Sequence, residues 1–141
     1  MKPSEVRERI LADHEVLQRR LAALEEQARR VTGGAADAAP WLRAEGEALL
    51  ALLREHLSWE DRHLAPALRA AGTRGTEHTR ALAREHAEQR ELLDDALARL
   101  RDGGRPLLLV ARNLLDLAAL LREDMDREEQ ARLDPRLLRD A

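Results

Sequence analysis

The apolar residues of this chain are nearly all leucine and alanine, 28 Leu and 25 Ala against 4 Val and 1 Ile, and they recur in steps of three and four. That pattern constrains the fold more than any other feature. β-Branched and aromatic side chains suit a pleated strand, whereas Leu, Ala, Arg and Glu lose little rotamer freedom in a helix. Steps of three and four place the apolar residues on one face of a helix. Apolar residues make up 44% of 141, enough for one core, so a single domain over residues 1–141 is expected.

Breakers divide the chain into four such runs. The first helix is expected from an N-cap at Ser4 to about Arg30. A loop from Thr32 to Pro40 follows, and Pro40 falls in the first turn of a second helix that runs to about Arg69. Pro66 ends or bends its last turn. Gly72 to Gly75 breaks the chain again, with Thr76 as the cap of a third helix. Asp102 to Arg105 is the third break, Pro106 opens the fourth helix, and Asp134-Pro135 stops it near Leu133. Four helices of about 40 Å joined by short loops fold as an all-α, up-down-up-down four-helix bundle.

Stepping along the inward faces exposes an interruption on every helix. The first seam reads Ile10, His14, Leu17, Leu21. The second reads Leu49, Leu53, His56, Glu60, His63, the third Leu82, His86, Gln89, Leu93, and the fourth Leu117, Leu121, Asp124, Glu128. The helices alternate in direction, which puts these polar positions about 15 Å from the same end of the bundle. A short template also recurs: an apolar residue, then an acid beside the candidate ligand, as in Asp13-His14, Glu55-His56, Glu85-His86 and Glu123-Asp124. It sets Asp124 at the place of His56 and Glu128 at the place of Glu60.

An i, i+4 pair shares one helical face, so His56/Glu60 and Asp124/Glu128 can each present two groups to one point. Three carboxylates and three imidazoles then meet in a core, a costly arrangement unless it is compensated. Two divalent cations with one bridging hydroxide bring a charge that matches the three carboxylates. One cation leaves an excess that Arg90 can neutralise. Nitrogen and oxygen donors without sulfur suit iron or manganese, and zinc is not excluded. The competing reading is a metal-free bundle with an Arg90–Asp124–Glu60 salt-bridge network, serving as a structural or partner-binding domain. Each His taken singly also reads as a satisfied core histidine. It is the polar turn of all four seams at one level that points to metal. His63 continues the second seam at Glu-x-x-His spacing, either as a ligand or just below the site. Gln89 is expected as a hydrogen-bonding neighbour, Trp59 as packing, His78 on the surface, and Gly46 where helices approach closely or leave space.

Absences exclude further classes. Without cysteine there is no disulfide, thiolate site, iron–sulfur cluster or cysteine nucleophile. A formal net charge of −3 lacks a general nucleic-acid footprint. No apolar run approaches the roughly 18 residues of a membrane span, and MKPSEVRERI has no apolar core of a signal peptide. A cytoplasmic protein without nucleic-acid or membrane partners is expected, as monomer or homodimer. Phe and Tyr are absent, so no phenolate ligand or tyrosyl radical is available.

The order and spacing of His14, His56, Glu60, His86 and Glu128 resemble the hemerythrin-like family of HHE cation-binding domains, over about residues 8 to 135. The acid–His pairs, Leu64-x-Pro66, Glu128-Glu129 and Pro135 resemble that family as well. The resemblance implies a four-helix bundle holding non-haem iron, commonly as an oxo- or hydroxo-bridged pair. It also implies roles in O2 carriage or sensing, nitric oxide or peroxide handling, or iron homeostasis. Two positions depart from the family pattern. Asp124 stands where the fourth helix carries a His, and Arg90 stands where oxygen carriers have a second His on the third helix. Asp124 can ligate as a harder anionic donor. Arg90 cannot ligate, but it can stabilise a bound anion or peroxide. A ferritin-like oxidase or peroxidase ranks lower, since it uses two Glu-x-x-His motifs and lone Glu ligands. Only Glu60-x-x-His63 is present here, and His14 stands where a Glu is needed. No residue is assigned a catalytic role.

Overall fold

The computed structural model describes all 141 residues. Helix α1 spans Pro3–Thr32, α2 Ala39–Arg69, α3 Thr73–Arg101 and α4 Leu107–Ala131, with one 3₁₀ turn, Ala36–Ala38, leading into α2. Successive helices lie side by side and α4 closes against α1, which makes the expected up-down-up-down bundle. No helix is long and apolar enough to cross a membrane.

The helix starts differ from expectation for local reasons. Ser4 is not the N-cap of α1. Pro3 already occupies the first turn, where its missing N–H is no loss, and the Glu5 carboxylate accepts from the Lys2 N–H at 2.8 Å. Ser4 instead donates its hydroxyl to Asp140 at 2.6 Å and its N–H to the same carboxylate at 2.9 Å. It thereby ties the first turn to the end of the chain. Thr76 likewise lies inside α3, which starts at Thr73 after Gly72 at φ +89°, and its hydroxyl donates back to the Gly72 carbonyl at 3.1 Å. Helix α2 ends at Arg69 as expected, with Pro66 in its last turn. Helix α4 ends at Ala131. Leu133 and Leu138 follow it back into the core.

The apolar core is in two blocks. The larger one packs Leu17, Leu49, Leu53, Leu93, Leu114 and their neighbours along most of the bundle. The smaller one joins Val6, Ile10, Leu64, Leu68 and Leu82 with Leu133 and Leu138 of the tail. Between the blocks each helix carries a buried polar group. His14 lies between Ile10 and Leu17, Glu60 between Leu57 and Leu64, His86 between Leu82 and Leu93, and Glu128 between Met125 and Leu133. On α4 the buried residues run Leu121, Met125, Glu128, so Met125 takes the inward place and Asp124 is only half-buried.

Candidate metal centre

Five side chains from the four helices converge in this polar layer. His14 Nε2 lies 3.2 Å from Glu128 Oε1. His56 Nε2 lies 3.1 Å from Glu60 Oε1, and His86 Nε2 is 3.6 Å from the same oxygen. The rings of His14 and His56 stand 5.2 Å apart at 58°. Two sets of potential donor atoms result, His14/His56/Glu128 and Glu60/His86/Glu128, each with its atoms within 4.8 Å of one another. Glu128 belongs to both.

Each ring also has an acid on its outer side, hydrogen-bonded in one case and only nearby in the other two, where Nδ1 of His14 and of His56 has no hydrogen-bond partner. His86 Nδ1 is hydrogen-bonded to Asp61 at 2.7 Å, His14 Nδ1 faces Glu129 at 3.5 Å, and His56 Nδ1 faces Asp13 at 3.6 Å. A carboxylate on the Nδ1 side favours the proton there and leaves Nε2 as a lone-pair donor toward the interior, a usual support for a metal-ligating imidazole. These three acids escape a reading of the seams because they sit one residue off them. Asp13 precedes His14, Asp61 follows Glu60, and Glu129 follows Glu128. Each acid serves the histidine of a neighbouring helix, so its partner is not visible in its own segment. Of the acid–ligand doublets only Asp13-His14 contains one of these acids; Glu129 stands in the Glu128-Glu129 pair, and no sequence signal marks Asp61.

The electrostatics are those of a crowded cluster. Burial works to raise the Glu60 carboxyl, but His56 and His86 outweigh it and hold the group far below the usual range. Glu128 is pushed up to about 7 by burial and by the charge of Glu60. Burial alone would lower His14 and His86. Glu128 raises the first, and Glu60 with Asp61 raises the second, so both end above the ordinary imidazole value. The layer therefore retains protons near neutrality that a cation would displace.

The remaining side chains occupy other places. Asp124 lies on the wall of the cluster and accepts a hydrogen bond from Gln89 Nε2 at 3.2 Å. It belongs to neither converging set. Burial raises its carboxyl, although Arg127 and Gln89 pull the other way. His63 is half-buried and stacks on Trp59 at 4.5 Å between ring centres, outside both sets. Arg90 pairs with Asp61 rather than with Asp124 or Glu60, so the three-residue salt-bridge network does not form. His78 is partly exposed, and burial with Arg132 and Arg74 lowers its imidazole. A cavity of about 30 Å³ lies against His14, His56, Glu60 and Glu128, with Gln89 and Asp124 on its far wall. That volume holds a water or a diatomic molecule.

The buried Nε2 atoms of His56 and His86 and the Oε2 atom of Glu60 have no hydrogen-bond partner. A buried polar atom left unpaired costs about 1–3 kcal/mol, and three aimed into one layer fit a cation that would satisfy them together. The nitrogen and oxygen donor set suits iron or manganese, with zinc also compatible.

A four-helix bundle whose apolar core is divided by imidazoles and carboxylates from all four helices falls in the class of bundles built around a cation site. The Hemerythrin HHE cation binding domain family matches residues 6–133, and the chain belongs to that family. No curated protein and no solved structure matches the chain.

Proposed function

We propose that this protein binds iron, as a pair of ions, in the polar layer and presents it to a small ligand, O2, nitric oxide or peroxide. The observation that carries the reading is the pair of overlapping donor sets joined through Glu128. Two sets that share one carboxylate offer donors for two neighbouring ions. His14, His56, Glu60, His86 and Glu128 would hold the ions. Asp124, half-buried on the cavity wall, lines the place of the exogenous ligand, and His63 supports α2 beside the site through Trp59. When bound, iron supplies a redox-active Lewis acid with coordination positions open to a small ligand.

The chain's own contribution is positional and electrostatic. Asp61 fixes the His86 ring through a hydrogen bond, and Asp13 and Glu129 place negative charge beside Nδ1 of His56 and His14. Glu128, which is raised toward neutrality, would hold a proton that a bound cation would displace. Leu17, Leu53, Leu93, Leu121 and Met125 line the cavity and limit water around it. Three imidazoles with no fourth at Asp124 or Arg90 make a harder, more oxygen-rich donor set than an oxygen carrier uses. That favours sensing or handling of the ligand over its reversible transport.

The test is elemental analysis of protein reconstituted anaerobically with ferrous iron, combined with its absorption spectrum. About two irons per chain and near-ultraviolet bands that change on adding nitric oxide are expected. His56→Ala should remove both. Full occupancy by zinc or manganese in preference to iron, or a spectrum indifferent to nitric oxide, would overturn the reading.

A further inference from the structure

At the level of the polar layer, three of the four seams between helices carry a cluster imidazole facing an acid of the adjoining helix. Asp13–His56 closes α1–α2, Asp61–His86 closes α2–α3, and Glu129–His14 closes α4–α1. In all three the obstruction is an imidazole that belongs to the cluster. The fourth seam, α3–α4, has no ring. Beside the cavity it is crossed by the hydrogen bond from the Gln89 amide to Asp124 at 3.2 Å, and nearer the end of α4 by the Arg132–Glu85 ion pair at 2.6 Å. Helices α3 and α4 also pack on each other more sparsely than any other neighbouring pair.

The pockets on either side of the Gln89–Asp124 bond share the two residues that make it. Gln89 and Asp124 line the inner cavity beside the cluster, and they also line an outer, open pocket of about 210 Å³. Leu92 and Leu120 of the outer pocket belong in turn to a mainly apolar groove of about 110 Å³ farther along the same seam. Two other surface pockets touch the layer, on α1–α2 and on α1–α4. They end on the rings of His56 and His14 themselves, with Asp13 or Glu129 beside them. Passage there requires a donor ring to swing away. Passage at α3–α4 requires only a half-buried amide to change rotamer, a motion of picoseconds to nanoseconds for side chains with access to solvent.

We propose that the α3–α4 seam is the entrance to the metal site for a small uncharged diatomic, O2 or nitric oxide, with the Gln89–Asp124 pair as its gate. The proposal rests on the iron-site reading above. Three features select that ligand class. The leucine-lined groove gathers apolar solutes. The inner cavity accepts little more than two heavy atoms. An acid at the gate disfavours anions.

Two experiments test it, and they fail separately. In iron-loaded protein, nitric oxide association and dissociation are followed by rapid mixing. Leu120→Trp enlarges a half-exposed side chain shared by groove and outer pocket. It should slow both rates about tenfold, a barrier change near 1.4 kcal/mol, and leave Kd and iron content unchanged. Gln89→Ala should speed both rates. Val16→Trp, at the mouth of the α1–α2 pocket, should change neither. Wild-type rates in Leu120→Trp, or slowing by Val16→Trp, would overturn the entrance. In metal-free crystals under xenon, gas is expected between Leu92 and Leu120 and not beside Val16. Xenon absent from the α3–α4 groove would overturn the proposal whatever the metal content. Xenon in the groove of a protein that takes up no iron would support the route while refuting the iron site.

Discussion

At the scale of single residues, the convergence of three histidines and two glutamates was legible because all four Leu/Ala seams turn polar at one level, whereas Asp124 and His63, expected with them, lie outside both sets. Asp13, Asp61 and Glu129 were not legible. An acid one position off a seam reads as an ordinary solvated face, and only the rotation of the adjacent helix reveals the imidazole behind it. Their role gives a direct prediction. Asp61→Asn keeps the shape beside His86 but removes the charge that fixes its ring. Metal affinity should fall about 10- to 100-fold, measured by competition with a chromophoric chelator, while the melting temperature of the metal-free protein changes little. The pH dependence of the metal-free protein follows from the same cluster. Glu128 is raised from 4.5 to about 7, and His14 and His86 are raised from 6.5. A group whose folded pKa exceeds its unfolded one contributes stability at low pH and loses it as pH rises through the folded value. Glu60 is depressed and acts in the opposite sense, but below the neutral window. His78 opposes the trend only weakly, being largely exposed. The metal-free protein should therefore melt at lower temperature at about pH 8 than at about pH 6. Saturation with metal, which replaces those protons, should remove the difference. Both are read by calorimetry.

At the scale of elements, all four helices were visible from Gly and Pro punctuation and from the leucine stripe, because both are local signals. The caps were not. Ser4 is drawn away by Asp140 at the far end of the sequence, and α3 begins on Gly72 through a positive φ that no pattern announces. The turn of Asp124 off the seam has a similar origin. The seam continues from Leu121 by a step of four to Met125 rather than by a step of three to Asp124. The two buried helical glycines make opposite predictions. A Cβ on Gly75 would stand 1.7 Å from the Leu68 carbonyl oxygen, which is backbone and cannot move aside. Gly75→Ala should cost about 1–3 kcal/mol by forcing α2 and α3 apart. A Cβ on Gly46 meets the end of the Leu100 side chain at 3.1 Å, and that methyl can shift. Gly46→Ala should then be neutral, or stabilise by up to about 1 kcal/mol from helix propensity. Chemical denaturation of the two variants distinguishes these signs.

At the scale of the whole molecule, the polar layer divides the core into a large apolar block and a small one, and the small block depends on the tail through Leu133 and Leu138. A core interrupted by buried imidazole atoms without partners and by two buried carboxyl groups is weaker than a continuous one. A ligand shared by all four helices offsets this by binding the folded state alone, adding about 2.7 kcal/mol at a hundredfold excess over Kd. The central claim, that the layer exists to hold metal, is tested most directly by calorimetric melting of the metal-free protein during anaerobic titration with ferrous iron. The melting temperature is expected to rise and level off at two ions per chain, and Glu128→Gln, which alters the carboxylate shared by both donor sets, should abolish most of the rise. A melting temperature unmoved by iron, manganese or zinc would contradict that claim and leave the layer as a network of protonated imidazoles and carboxylates.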